Sequence, residues 1–285
     1  MNTESTGNEH EGATPDVSVI MPAFNAQDHI RESILGVMAQ TYRSLELIVT
    51  DDASTDSTAD IVRELAGKDV RIRLIRNVTN RGVSLSRNRG IENARGRFLM
   101  FLDSDDLWEP EKLEVQVSFM LANECAVSYM DYSRFKDTDV NSAWRVAAPE
   151  RISYEELLAS NEIGMLTAAI DLHRVPRLPA FEVQGHEDYL FWLDVLKVIA
   201  PRPALKAPSS KTLARYRERN GSVSSDRMKS ALWHWNILAQ QKQALPSRLV
   251  LMARYLWRAL RKRKAIHHYC SNSTKSFTVR NDAGR

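Results

Sequence analysis

With 285 residues, 43% hydrophobic and 26% charged, the chain has enough apolar material for a large α/β domain and needs no disulfide or metal staple. Cys125 and Cys270 lie far apart without metal-ligand spacing, which excludes a disulfide scaffold and a zinc module and fits a reducing cytoplasm. No run approaches the ~18 consecutive apolar residues of a membrane-spanning helix, and the net charge of +3 conceals a basic end: Arg227 to Arg280 holds twelve Lys or Arg and no Asp or Glu.

Residues 1–16 are polar and acidic without an apolar core, which predicts a disordered leader and no secretory signal. Val17-Ser-Val-Ile-Met then reads as a strand ending at Pro22. Asp28 to Gln40 follows as a helix, with Ile30, Ile34, Leu35, Val37 and Met38 at helical spacing. Leu45 to Thr50 is a second strand running into Asp51 and Asp52. The next helix carries Ile61, Val62 and Leu65, with Asp56 or Ser57 to cap it. A third strand at 71–75, a helix from Ser84 to Ala94 and a fourth strand at 97–102 repeat the unit, so a parallel sheet flanked by helices is expected. Beyond a helix at 112–123 the pattern loosens. It predicts a strand at 126–135, a polar loop at 137–149, a helix at 153–160, a strand at 166–172 and an apolar helix opening at Gly185-His-Glu-Asp188.

The fourth strand has a distinctive end. Phe98 to Leu102 is wholly apolar, as in a strand covered on both faces, and it delivers Asp103, Asp105 and Asp106 within four residues. Carboxylates so close repel one another unless a cation joins them, and hard oxygen ligands suit Mg²⁺ or Mn²⁺. The alternative is an acidic turn opening the next helix. Ligands of open α/β sheets sit beyond the carboxyl ends of the strands, where Pro22 to Asn25, Asp51–Asp52 and Asp103 to Asp106 all fall. The GxGxxG and GxxxxGK[ST] phosphate loops are both missing, so dinucleotide-binding and P-loop readings lose their support.

These residues together resemble the family 2 inverting glycosyltransferases of the GT-A (Rossmann-like) fold. The resemblance rests on five segments in order: Val17-Ser-Val-Ile-Met-Pro-Ala-Phe-Asn25, Val49-Thr-Asp51-Asp52-Ala-Ser-Thr-Asp56, Asn80-Arg-Gly82-Val-Ser-Leu-Ser-Arg87-Asn88, Leu102-Asp103-Ser-Asp105-Asp106 and Gly185-His-Glu187-Asp188. It covers about residues 17–225. It implies transfer of a sugar, a glucose or another hexose, from a UDP-sugar to an acceptor hydroxyl with inversion. It also implies a nucleotide-sugar half at 17–125 and an acceptor half at 126–225, and beyond it the charge pattern gives a basic helical extension at 226–270 and a flexible tail at 271–285.

The resemblance places Pro22, Ala23, Phe24 and Asn25 around the nucleotide, Asp51 or Asp52 at the base, and Arg87 and Asn88 at the nucleotide edge. Asp103-Ser104-Asp105 corresponds to the Asp-x-Asp motif, with Asp103 towards the ribose and Asp105 on the Mn²⁺ or Mg²⁺ that bridges the diphosphate. Asp106 is either a further ligand of that ion or a charge at the start of the following helix. Asp188 takes the place of the base, Glu187 that of an acceptor ligand, and Tyr216 with Arg217 that of a loop closing on the diphosphate. Relatives often carry a His after this Tyr-Arg pair, whereas Glu218 to Gly221 stand here. Arg81, Arg89, Arg95 and Arg97 have no counterpart and are expected on a solvated basic face.

From Arg248 to His268 the chain reads as one helix, with Leu249, Met252, Leu256 and Leu260 on a common face among many basic residues. Such a helix suits an anionic membrane surface and suggests a lipid-linked glycan acceptor at the inner face of the cell membrane. Packing on the catalytic domain or a homodimer contact is the other use of its apolar face. No nucleic-acid module surrounds these charges, so no nucleic-acid partner is expected. A sugar nucleotidyltransferase and a non-catalytic nucleotide-sugar or glycan-binding module are the competing readings of the whole chain.

Overall fold

The computed structural model describes residues 14–137, 139–182, 186–218 and 227–258. The expected leader at 1–13, the flexible tail at 271–285, Cys270 and the end of the basic helix lie outside the described residues. Two compact units are present. One runs from the start of the described chain to Tyr154 and again from Glu162 to the last strand, and the other comprises Glu155–Asn161 and the helices that follow residue 223.

In the first unit, β1 (Val17–Ala23), β2 (Leu45–Asp51), β3 (Ile72–Arg76) and β4 (Phe98–Phe101) are parallel and ordered 3-2-1-4. Every residue of β1, β2 and β4 is buried, which explains the apolar runs by which the sequence marks them. The sheet continues through the antiparallel β10 (Ala169–Asp171), then β6 (Val127–Tyr129), β11 (Ala204–Lys206) and β9 (Arg151–Ile152). A second sheet is ordered β5 (Leu107–Trp108), β12 (Ala214–Glu218), β7 (Tyr132–Lys136) and β8 (Asp139–Val146).

Helices α1 (Ile30–Met38), α2 (Thr58–Ala66), α3 (Val83–Glu92), α4 (Lys112–Ala122), the short α5 (Tyr154–Leu157) and α6 (Glu187–Ile199) complete the order of elements. The α2 start is held by Asp56, whose Oδ1 accepts from the Thr58 N–H at 2.9 Å, while Ser57 makes no side-chain cap. Helix α3 lies so close to β1 that a Cβ on Gly90 would stand 2.6 Å from Ile20 Cγ2. Helix α6 is fixed by aromatic rings: Phe181 stacks on Phe191 at 3.9 Å, and Phe101 of β4 meets Phe181, Phe191 and Trp192 edge-on. Each such pair adds roughly 0.5–1.5 kcal/mol to the burial of these large rings.

Pairing in β1 also shapes the ligand edge. Its register with β4 ends at Ile20 opposite Phe101, whereas with β2 it runs on to Ala23 opposite Asp51. Pro22 therefore sits where β4 needs no donor from it. A crevice opens beside it, at the point where the strand order reverses.

Several expectations change. Residues 126–135 form β6 and β7, strands of two different sheets, in place of one strand. The expected polar loop at 137–149 is largely strand β8, at the edge of the second sheet. Residues 166–172 divide into a 3-10 turn (Met165–Thr167) and β10. Of the four arginines expected on a solvated face, Arg81 and Arg95 are exposed, Arg89 and Arg97 are half-buried, and three of the four have protein partners. Arg95 pairs with buried Glu46, Arg97 with buried Asp171, and Arg89 donates to the Arg76 carbonyl at 3.0 Å. Carboxylates taken from water require such partners.

In the second unit, α7 (Arg227–Gln240) precedes a helix, α8, over residues 245–258. Tyr255 stacks on His234 at 4.2 Å, and Arg248 lies over the Trp235 ring at 3.9 Å, so one face of α8 packs on α7. The stripe read from the sequence is not that face: Leu249 and Leu256 are exposed while Leu251 is buried.

Candidate active site

The crevice at the ends of β1 and β4 is a cleft of about 220 Å³ lined by Pro22, Ala23, Phe24, Asp52, Val83, Ser86, Asp103, Ser104 and Asp105. Three segments that the sequence singles out at separate strand tips thus meet at one place. Asn25 and Asp51 hold its walls from behind. Asn25, at φ 46°, accepts the Thr55 N–H at 2.9 Å, and its own N–H donates to Ser54 Oγ at 3.0 Å. Asp51 is wholly buried, pairs with Arg76 Nε at 3.0 Å and is not among the lining residues.

Asp52 accepts from Asn77 Nδ2 at 2.6 Å, from the Gly82 N–H at 2.7 Å and from the Arg81 N–H at 2.9 Å. Its carboxylate thereby shapes the turn that starts α3. Gly82 adopts φ 87°, a conformation that favours glycine. Asn77 stands at the tip of β3, where the rule used for the other three strands also applies, and sequence reasoning passed over it. Val83 and Ser86 were missed for another reason: they reach the cleft because α3 rests so closely on β1.

Arg87 joins the two halves of the site. It is only 4% exposed, donates from Nη2 to Asp103 Oδ1 at 2.8 Å, and reaches Glu187 Oε1 from Nη1 at 3.4 Å. Burial works against its charge, but Asp103, Glu187 and Asp188 hold it above the ordinary arginine range. Asn88, on the same helix, turns away from the cleft. It donates to the Phe181 carbonyl and accepts the Phe181 N–H, both at 2.8 Å.

Glu187 and Asp188 form the first turn of α6, where the helix dipole favours negative charge. His186 enters the helix in the left-handed region at φ 61°, and Asp188 Oδ1 accepts the Tyr189 N–H at 2.8 Å. The residues brought together are thus Asp103, Arg87, Glu187 and Asp188, from three separate stretches of chain.

Asp106 does not open a helix: β5 follows it directly and α4 begins at Lys112. It is 2% exposed and accepts the Arg217 N–H at 2.9 Å. Burial, then the neighbouring Asp105 and Asp103 carboxylates, pushes it well above the ordinary carboxylate range, against the pull of the Arg217 N–H. Tyr216 and Arg217 lie on strand β12, where a closing loop was expected. Tyr216 meets Tyr132 edge-on at 6.4 Å, and its phenol is pushed up to about 12, first by burial and then by Asp106.

The donors facing the cleft suit a hard cation held in part by its ligand. Among the described residues no group of three His, Cys, Asp or Glu forms a closed metal cage. Mg²⁺ and Mn²⁺ need none, since one or two carboxylates with water and phosphate oxygens complete their shell. Asp103 and Asp105 offer that number.

Comparison with known proteins agrees with this geometry. The chain is 35% identical over 221 residues to the putative teichuronic acid biosynthesis glycosyltransferase TuaG of Bacillus subtilis, covering 78% of this chain and 86% of that one. It is 34% identical over 246 residues to the UDP-Glc:alpha-D-GlcNAc-diphosphoundecaprenol beta-1,3-glucosyltransferase WfgD of Escherichia coli, covering 86% and 94%. In fold it is similar to S. aureus TarS 1-349 solved with UDP, at a TM-score of 0.63 and 20% identity over 85% of this chain and 70% of that one. Mannosyltransferase PcManGT from Pyrobaculum calidifontis, solved with GDP-Man and Mn²⁺, gives a TM-score of 0.60 at 21% identity over 85% and 69%. The fold is GT-A-like, a Rossmann-like central sheet flanked by helices. The model of Glycosyl transferase family 2 matches residues 18–171, and the chain belongs to that family.

Proposed function

We propose that this chain is an inverting hexosyltransferase that moves a sugar from a UDP-sugar to a hydroxyl of a diphospholipid-linked acceptor during assembly of a cell-surface polysaccharide. The observation that carries this reading is the single cleft lined by Pro22, Asp52, Asp103 and Asp105 and bridged through Arg87 to the start of α6. The name of the Escherichia coli relative supports UDP-glucose as donor and a lipid diphosphate as acceptor.

In this mechanism the nucleotide lies across Pro22, Ala23 and Phe24. Asp52 already takes three donors, the Arg81 N–H being shared between its two oxygens at 2.9 and 3.1 Å, and the longer of these shared contacts gives way to the imide N–H of uracil. Asp103, held by Arg87, faces the ribose, and Asp105 with the donor diphosphate would hold a divalent cation. When bound, that cation neutralises charge gathering on the leaving diphosphate. Asp188 removes the proton of the acceptor hydroxyl as it attacks from the opposite face, and Glu187 orients that acceptor beside Arg87. Inversion follows from a single displacement.

The reading is tested with UDP-glucose, UDP-N-acetylglucosamine and GDP-mannose offered with a synthetic N-acetylglucosaminyl diphospholipid and Mn²⁺. Transfer of glucose with stoichiometric UDP release is expected. Binding of UDP-sugars without transfer to any diphospholipid acceptor would reduce the chain to a binding module.

The reading includes peripheral attachment to the inner face of the cell membrane through α8. The face of α8 turned from α7 exposes Leu245, Leu249, Val250, Leu256 and Trp257, and Arg254 stands among them. A basic run from Arg261 to Lys264 follows in the sequence. Apolar side chains beside cations suit an anionic bilayer surface. In the double variant Leu249→Glu with Trp257→Glu, loss of two apolar anchors worth roughly 1.5–3 kcal/mol each when fully buried should lower co-sedimentation with anionic vesicles at least tenfold. Unchanged partitioning would assign this face to another partner.

A further inference from the structure

Arg217 is 5% exposed on β12, behind the turn that carries Asp105 and Asp106. Its donors are engaged on every side. The backbone N–H meets Asp106 Oδ1 at 2.9 Å, Nε donates to the Asp105 carbonyl at 2.7 Å, Nη2 to Glu32 Oε2 at 2.7 Å, and Nη1 to the Asp137 carboxylate. The guanidinium also lies over the Phe135 ring at 4.7 Å. Arg217, Glu32 and Asp137 are all absent from the residues lining the cleft. Glu32 belongs to α1 and Asp137 to the turn that follows β7, so one arginine of β12 connects both to a single peptide group of the Asp-Ser-Asp turn.

We infer that Arg217 is a positioning residue: it fixes the Asp105 backbone from behind so that the Asp105 carboxylate is presented to the cation of the donor complex, with Glu32 and Asp137 orienting the guanidinium, and it does not itself touch the diphosphate. The inference rests on the cation reading proposed above. A fork donor whose hydrogen bonds go to a carbonyl and two carboxylates has its geometry fixed before any ligand arrives. A metal carboxylate needs such support, because a shift of the turn by a fraction of an ångström disturbs a near-octahedral shell.

The experiment measures UDP affinity by calorimetry in Mn²⁺ and in EDTA for the wild type, Glu32→Gln, Arg217→Met and the double variant, with UMP as a second ligand. Met keeps most of the packing on Phe135 and removes the fork. Arg217→Met is expected to weaken UDP binding in Mn²⁺ about tenfold or more while leaving affinity in EDTA within about twofold. Glu32→Gln, at the exposed end of the network, is expected to give a several-fold loss of the same kind, and little beyond Arg217→Met when combined with it, as coupled positions do.

Loss of UDP affinity in EDTA with UMP affinity retained would mean that the guanidinium grips the diphosphate, and overturns the inference. Wild-type affinity in Mn²⁺ for both single variants overturns it as well. If Arg217→Met does not fold, Glu32→Gln decides alone. Equal wild-type affinity in Mn²⁺ and EDTA overturns the cation reading itself, and with it the role given to Arg217.

Discussion

Asp188→Asn is expected to reduce kcat for sugar transfer by about 10³-fold or more, in line with the 10²–10⁴-fold typical of a positioned base, while UDP-sugar affinity stays within about twofold. The substitution keeps shape and removes the Asp188 carboxylate, leaving Glu187 beside it in the first turn of α6, paired with Arg87. Asp188 does not line the donor cleft, so the donor loses no contact. The helix loses one N-terminal charge, worth roughly 0.3–1 kcal/mol, too little to unfold the protein. Transfer is followed by UDP release and donor binding by calorimetry. Retained transfer would remove Asp188 as the base, and loss of donor binding would show that its charge acts through Arg87.

Asp105→Asn should be nearly as damaging, through the other end of the reaction. A neutral amide is a poor ligand for Mg²⁺ or Mn²⁺, so the Mn²⁺-dependent part of UDP affinity should disappear and kcat/KM should fall by about 10²-fold or more. Folding gives the control. Asp105 is one of the causes that push buried Asp106 above the carboxylate range, and removing a like charge relieves that repulsion. A melting temperature equal to or above that of the wild type is expected. A lower one would mean that the loss of activity comes from a disturbed turn.

The sequence carried the donor half of the site further than the acceptor half. Strands β1, β2 and β4 are buried on both faces and therefore spell themselves as apolar runs, with Pro22, Asp52 and Asp103 at their ends. The second sheet left no such mark. Its β5 has two residues and pairs with β12 more than a hundred positions away, and β8 is an edge strand that mixes polar and apolar residues without a continuous apolar run. Arg217 consequently read as part of a closing loop, although it lies buried on a strand. Arg97 read as solvated because a sequence displays an arginine without displaying Asp171, the buried carboxylate that faces it. Membership in the glycosyltransferase family leaves the nucleotidyltransferase alternative without support. That membership was legible because five short segments, each weak alone, keep their order.

The chain between β10 and α6 is fixed by Asp171 on Arg97 through bonds of 3.0 and 2.7 Å, by the Arg174 carbonyl on Arg202 Nη2 at 3.1 Å with Val175 buried beside it, and by the Phe181 backbone on the Asn88 amide, the last two anchors leaving residues 176–180 between them. Between these anchors its length and composition are decoupled from the position of α6. Lengthening such a loop is cheap, about 0.6 kcal/mol for each doubling. Residues 176–180 are thus a place where related chains can diverge in length and sequence while α6 keeps its position.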